Sequence, residues 1–271
     1  MSTGGGQSVA IVGAGLAGSL LAVLLARQGH RVQVFERRED PRRPGPGRGR
    51  SINLALSTRG LDALAAAGLA ERLLVIAVPM RGRMIHPLRG DLHFQPYAPR
   101  GDRSIHSVSR GGLNLALVEA AEAEPNVRVR FGQRCVGVDL DTATVRLHGD
   151  GGALREEPFD IVLGADGAYS EIRRELQRTD RFDYAQSYLE HGYKELTIPA
   201  GAGGAFRMEP HALHIWPRGG SMMIALPNRD GSFTCTCFWP HHGPGGFDAF
   251  RTPADLEHHF AEVYPDAVPL M

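Results

Sequence analysis

Several things are scarce in this sequence, and each shortage removes a class of protein. Three cysteines in 271 residues, Cys135, Cys235 and Cys237, are too few for the disulfide framework of a small secreted domain. A reducing cytoplasm, in a soluble protein, is the expected setting. Neither sign of charge is in excess: 30 basic and 30 acidic residues give a formal net charge of zero, so nothing asks for nucleic acid. Long apolar runs are missing too. The most apolar helical stretch, Leu20 to Ala26, is far too short to cross a bilayer. The opening MSTGGGQS has neither the basic flank nor the apolar core of a signal peptide. No metal constellation stands out: Cys235 and Cys237 share a strand face as packing, without further ligands at metal spacing. His241-His242 and His258-His259 are adjacent pairs that cannot converge on one ligand from a regular element, and they read as surface residues. No nucleophilic triad is evident. The Arg-, Ala- and Gly-rich composition fits a GC-rich bacterial genome.

What is present is glycine in two places where it does chemical work. Val9 to Val12 is a short apolar strand that runs into Gly13, Gly15 and Gly18, a G-x-G-x-x-G at the opening of a helix. The first glycine permits the tight turn, the second lets the backbone approach a pyrophosphate, and the third allows close packing of helix on strand. The diphosphate would sit on the free N–H groups at the positive end of that helix. A second strand, Arg31 to Phe35, ends in Glu36, whose carboxylate can accept hydrogen bonds from a ribose. The second glycine site lies in FDIVLGADGAYS, Phe159 to Ser170, where strand Ile161 to Leu163 enters Gly164-Ala165-Asp166-Gly167 and then a charged helix. One fingerprint indicates a dinucleotide; both in one chain indicate FAD.

Between these sites, Glu39 to Arg50 is a breaker-rich loop with four arginines. Thr58 to Leu74 reads as one Ala/Leu-rich helix, and Met80 to His106 as short extended pieces punctuated by Pro87, Pro96 and Pro99. Ser109 can cap a helix from Arg110 to Glu124, ended by Pro125-Asn126. Val127 to Phe131, Cys135 to Leu140 and Ala143 to Leu147 look like strands, with a turn at Gly149 to Gly152. From Phe182 onward the texture is antiparallel. Strands are expected at Leu213 to Trp216, Ser221 to Leu226 and Ser232 to Trp239, with a hairpin turn at Asn228 to Gly231. Alternation puts Met222, Ile224 and Leu226 on one face.

Gly13–Gly18 with Glu36, and the GADG of Gly164–Gly167, resemble the class A flavoprotein aromatic hydroxylases. Within that class the strings GRSINLALSTRG (Gly49–Gly60), MRGRMIH (Met80–His86), SVSR (Ser107–Arg110) and RFDYAQSY (Arg181–Tyr188) resemble the kynurenine 3-monooxygenase family. So do HGYKELTIP (His191–Pro199), LHIWPR (Leu213–Arg218) and the segment Met222–Pro240. The resemblance runs from Val9 to Leu270. It implies an α/β fold, with a Rossmann-like FAD-binding domain (residues 1–78 and 100–178) and an interleaved antiparallel-sheet substrate domain (79–99 and 179–271).

The resemblance also implies residue roles. Ala17, Glu36, Arg37 and Arg38 fall on the adenine half of FAD and Ala55 on the flavin side; Arg110 and Cys135 match further FAD contacts, Cys135 replacing a leucine at a position a backbone contact would tolerate. Asp166, beside Gly167, matches a position tied to FAD and to the encounter with NADPH, and Arg83 and Tyr97 match the anchors of the substrate carboxylate. A guanidinium fork and a directional phenol suit that task. The implied activity is hydroxylation of L-kynurenine at ring position 3 with FAD, NADPH and O2, without a metal or a catalytic side chain. The family's third FAD motif, Gly-Asp-Ala-Ala-His, does not follow Gly90-Asp91, Gly101-Asp102 or Gly149-Asp150. The expectation is therefore a C-terminally truncated chain with an incomplete substrate domain, weak in FAD and without turnover. A hydroxylase of another aromatic, and a non-catalytic FAD-binding remnant, remain the alternatives.

Overall fold

The computed structural model describes residues 6–43, 52–100, 103–149 and 152–271. The first elements are β1 (Ser8–Val12), α1 (Leu16–Arg27), β2 (Arg31–Phe35), β3 (Asn53–Leu56), α2 (Thr58–Ala66), α3 (Ala70–Leu74), β4 (Val78–Met80) and β5 (Gly82–Ile85). They are followed by β6 (His93–Pro96), β7 (Ile105–Ser109), α4 (Arg110–Glu122), β8 (Val127–Arg130), β9 (Arg134–Asp139), β10 (Thr144–His148), β11 (Leu154–Pro158) and β12 (Ile161–Gly164). The last are α5 (Glu171–Leu176), β13 (His191–Ile198), β14 (Ala212–Arg218), β15 (Ser221–Pro227), β16 (Phe233–Pro240) and α6 (Pro253–Val263). They cluster into two compact units: Met1–Arg50, Ala63–Ala70 and Gly111–Gln186 in unit 1, and Ser51–Asp62, Glu71–Arg110 and Ser187–Met271 in unit 2. Residues 51–62, 71–78 and 100–110, grouped by sequence with the nucleotide fingerprint, thus cluster with the antiparallel unit.

Unit 1 is built on a parallel sheet in the order β12-β1-β2-β8. Its central strands β1 and β2 are largely buried, and β1 carries the apolar run Val9–Val12, while the outer strands β12 and β8 are only partly covered. Helix α1 covers one face with Gly18, Ser19, Ala22, Val23 and Ala26. On a second front the antiparallel sheet β11-β10-β9 contributes Cys135, Val138, Val145 and Leu147 to a core shared with Ala10, Val12, Phe35 and Ile172. Strand β11 escapes the sequence pattern because LREEP has no apolar alternation. It is an edge strand, mostly exposed, held by its ladder to β10 and by Arg130, whose Nη1 reaches both Glu157 carboxylate oxygens at 2.8 Å.

The expected single helix over 58–74 is two. Gly68 adopts φ 59°, its N–H donates to Ala65 O at 2.8 Å, and Leu69 N donates to Leu64 O at 2.8 Å. That is a Schellman stop, and a glycine supplies the left-handed residue at least cost. The loop expected over 39–50 and the turn at 149–152 fall in part outside the described residues.

Unit 2 carries a six-stranded sheet, β13-β16-β15-β14-β5-β6, in which only β5 and β14 run parallel, and a small sheet β3-β7-β4. One face of the large sheet is its core. Trp216, Met223, Ala225, Cys235, Cys237 and Trp239 are all buried there beneath Phe260 and Tyr264. Helix α6 is announced by Thr252-Pro253: the Thr252 side chain accepts from Asp255 N, and the Asp255 side chain accepts from Thr252 N, a capping box. Because α6 lies on this core, His259 is not a surface histidine. Its ring packs on Phe250 (centroids 4.7 Å) and Trp239 (5.3 Å), whereas His258 remains exposed.

Candidate functional site

In unit 1 the two glycine turns stand side by side at the C-terminal ends of adjacent parallel strands, β1 and β12, where open α/β sheets bind ligands. Gly13 holds φ 105°, and a Cβ there would lie 2.5 Å from Ala165 O. A Cβ on Gly18 would lie 1.9 Å from Gly13 O, so this position admits hydrogen alone. Gly15 differs: a Cβ would meet nothing within 4 Å. Its space is open, and as the N-cap of α1 it leaves the first-turn amides without a side-chain acceptor. Ala17 is exposed on that turn. An open backbone approach to uncapped helix amides fits a diphosphate.

Glu36 sits at the end of β2 with each carboxylate oxygen taking one backbone amide: Oε2 from Ala14 N at 2.9 Å and Oε1 from Arg38 N at 2.9 Å. The carboxylate is thereby oriented, and each oxygen keeps a second lone pair for a ribose hydroxyl. Arg37 and Arg38 follow it, both exposed. In the second turn Asp166 Oδ2 accepts from Glu171 N at 2.6 Å, while Oδ1 is buried with no partner among the described residues. A buried acceptor left over costs free energy, so Oδ1 fits a ligand hydroxyl. Gly167 turns the chain at φ 80° with open space about it. Cys135 offers no side chain to a ligand: it lies in the core, donates to Gly137 O at 3.4 Å, and burial pushes its thiol up to about 11. Only its backbone is available.

In unit 2 Ala55 is exposed on β3, opposite Ser107 of β7, and Arg110 is exposed where β7 passes into α4, its N–H donating to Ile52 O at 2.9 Å. Arg83 and Tyr97 are brought together by the β5–β6 hairpin. Arg83 pairs with Gln95, Tyr97 N donates to Arg81 O at 3.0 Å, and the guanidinium lies over the Tyr97 ring, 5.3 Å from its centroid. Tyr97 Oη is buried without a hydrogen-bond partner among the described residues. Burial raises the phenol above its ordinary value, and the neighbouring Arg83 guanidinium, by its nearness to the hydroxyl and by its charge, pulls the other way.

The sheet register extends this pair into a surface. Arg83 pairs with Leu213 and Ile85 with Ile215; Ile215 pairs with Ile224, which pairs with Thr236, and Met222 with Phe238. Directly paired residues share a face, so Arg83 stands at one end of a half-buried apolar floor opposite the Trp216 core. Alternation alone places Met222 and Ile224 together; Leu213, Ile215 and Phe238 join them only through the pairing of strands, and which strands neighbour β15 is not a local signal. Among the described residues no group of three or more His, Cys, Asp or Glu could hold a metal, and no helix is long and apolar enough to cross a membrane.

The chain is 53% identical over 272 residues to the kynurenine 3-monooxygenase of Myxococcus xanthus (strain DK1622), covering 100% of this chain and 59% of that protein. It is 50% identical over 267 residues to the kynurenine 3-monooxygenase of Salinispora tropica, covering 98% of this chain and again 59% of the relative. The chain thus spans about 59% of the length of the curated relatives it matches. Among solved structures, the tetrameric form of 2-methyl-3-hydroxypyridine-5-carboxylic acid oxygenase superposes with a TM-score of 0.74 at 20% identity, covering 98% of this chain and 67% of that one. This shows the fold, α/β of the aromatic hydroxylase type. Over residues 7–239, which include both glycine turns and the Arg83 hairpin, the chain matches the family described as FAD binding domain, and it belongs to that family.

Proposed function

We propose that this chain forms the FAD- and substrate-binding part of an NADPH-dependent kynurenine 3-monooxygenase, converting L-kynurenine to 3-hydroxykynurenine with O2. Unit 1 carries both glycine turns, and unit 2 carries the substrate anchors together with Ala55 and Arg110, which are assigned to FAD. The observation that carries the substrate is the Arg83–Tyr97 pair: a cation and an unpartnered buried phenol at the end of an apolar sheet face. An aromatic amino acid has the matching parts, a carboxylate for the guanidinium and phenol, and a ring for Leu213, Ile215 and Ile224.

FAD, when bound, supplies electron transfer from NADPH and activation of dioxygen. The chain's own residues do the rest. Glu36 takes the ribose hydroxyls with the lone pairs its two amides leave free, while the Gly13–Gly18 turn and the first-turn amides of α1 take the diphosphate. Arg37, Arg38, Ala55, Arg110, the Cys135 backbone, Asp166 and Gly167 are assigned to FAD contacts by the similarity in sequence. Arg83 and Tyr97 orient the substrate, and the apolar floor keeps water from its ring. No side chain is assigned a covalent step. All three cysteines are free and buried, which supports a cytoplasmic setting.

The test is product analysis of a purified full-length protein that carries this chain, supplied with FAD, NADPH, O2 and L-kynurenine, with phenol and benzoate as comparators. Formation of 3-hydroxykynurenine is expected there, and no turnover from the 271-residue chain alone. NADPH consumption equal with all three compounds, without that product, would overturn the reading.

A further inference from the structure

Behind the apolar floor, unit 2 contains a chain of polar groups that the proposed function does not use. His86, immediately after β5, and His214, on β14, are almost fully buried at 3% and 1% exposure. Asp266 Oδ2 lies 2.6 Å from His86 Nδ1, His86 Nε2 lies 2.8 Å from His214 Nδ1, and His214 Nε2 lies 2.9 Å from the Glu209 carbonyl. The direction of each bond follows from the end of the chain. A carbonyl only accepts, so His214 Nε2 carries a hydrogen. A neutral His214 then offers Nδ1 as acceptor, so His86 Nε2 also carries one. A neutral His86 would turn a bare Nδ1 towards a carboxylate oxygen, two acceptors facing each other at 2.6 Å. Trp216 gives no relief, because its Nε1 donates to both Asp266 oxygens, at 3.0 and 2.9 Å. Two neutral imidazoles and a carboxylate hold two hydrogens where three contacts need three. The set closes only with one added proton.

The surroundings act on that proton in both directions. The Trp216 ring stacks on His86 with centroids 3.9 Å apart, a π-face that favours an imidazolium. The charged groups nearby are Asp266, Arg218, whose Nη1 donates to His86 O at 2.9 Å, and the Glu209 carboxylate beyond His214. Burial drives His86 below its ordinary value, Asp266 pulls it back up, and Arg218 pushes it down again. The net effect is downward, so this proton is released more readily than from a free imidazole. Asp266 can exchange it: its side chain is 40% exposed, on the wall of a cavity of about 500 Å³.

The chain matters because of where His86 sits. Strand β5 has four residues, and its outer neighbour β6 is exposed at every position. The hairpin carrying Arg83 and Tyr97 is thus an edge, joined to its sheet through the β14 ladder and, three residues beyond Arg83, through the His86 side chain. We propose that His86, holding one shared proton between Asp266 and His214, is a positioning residue that clasps this hairpin, so that the set of Arg83 and Tyr97 depends on that proton. The substrate part of this proposal rests on the reading of Arg83 given above.

The variant Asp266→Asn separates the proton from the clasp. Its side-chain amide can donate to a neutral His86 Nδ1 while its oxygen still accepts from Trp216, so all contacts close with no added proton. The experiment follows the 15N shifts of the His86 ring and amide exchange across β5 and β6, from about pH 5 to about pH 8, the span of imidazole titration. It uses the 271-residue chain, Asp266→Asn and Asp266→Ala, with L-kynurenine titrated in parallel. In the unaltered chain both His86 nitrogens should be protonated at the acid end. Hairpin protection should fall on the order of tenfold as the proton leaves, with L-kynurenine affinity following it. Asp266→Asn should keep a neutral ring protonated at Nε2 and a protection that does not vary with pH; Asp266→Ala should show the open level throughout. A single pH profile shared by the unaltered chain and Asp266→Asn would overturn the clasp. Expected ring shifts and exchange without L-kynurenine binding at any pH would leave the clasp standing and overturn both its role towards substrate and the proposed function.

Discussion

In unit 1 the groups that would meet a ligand are mostly backbone, held in place by two glycine turns; in unit 2 they are side chains gathered from β5 and from the consecutive strands β14, β15 and β16 much further along the chain. The Gly13–Gly18 turn is held by its own strand and helix, by the neighbouring Ala165 and by the end of β2, where Phe35 O and the Glu36 carboxylate accept from Gly13 N and Ala14 N. The Arg83 face needs β5, β14, β15 and β16 in one register, and a one-residue slip would turn its side chains into the Trp216 core. Unit 1 should therefore fail abruptly at single backbone positions, and unit 2 by degrees, through charge and packing.

The sharpest test of that contrast is Gly18→Val, whose side chain has to occupy a space already 1.9 Å from Gly13 O. It should abolish FAD binding by fluorescence titration and destabilise unit 1 by more than about 3 kcal/mol, the range of severe overpacking. Normal binding by this variant would mean that the turn is not the site.

The next effect belongs to unit 2 and to acid. Burial lowers His214 from its ordinary value of 6.5 to about 4. Between those values the unfolded chain binds a proton that the folded unit refuses. The stabilisation is thus complete above the unfolded value and is lost as the pH falls towards the folded one, about 3 kcal/mol in all. Urea unfolding followed by Trp216 and Trp239 fluorescence should show it; a flat profile across that window would show that His214 is not held neutral.

Arg83→Ala tests side-chain recognition directly. The residue is exposed, so the fold should persist, while L-kynurenine binding should weaken by roughly ten- to a hundredfold, the loss of a hydrogen bond to a charged group. An unchanged dissociation constant measured by calorimetry would count against the carboxylate anchor. The smallest effect is expected for Thr252→Ala, which removes the capping box of α6 and should lower the stability of unit 2 by about 1 kcal/mol without altering FAD affinity. An unfolding curve identical to that of the unaltered chain would show that the capping box does not hold α6.

How much was legible in advance divides along the same line. The sequence by itself determined the βαβ unit, the roles of Gly13, Gly15 and Gly18 and the acid at Glu36. Strand, turn and helix are local, and a left-handed or crowded backbone position leaves glycine as its mark. Of the antiparallel strands it determined most, and it marked the end of the first helix after β3 with Gly68, a signal that was there to be taken. Strand β11 left no mark because its side chains face solvent on both sides. Tertiary structure alone decided that Arg83 shares a face with Leu213 and Ile224, that His259 is half-buried against Trp239, and that Asp266 reaches His86 across 180 residues. Those pairings follow from which strands become neighbours and where α6 lands, and no local propensity encodes the neighbour of a strand.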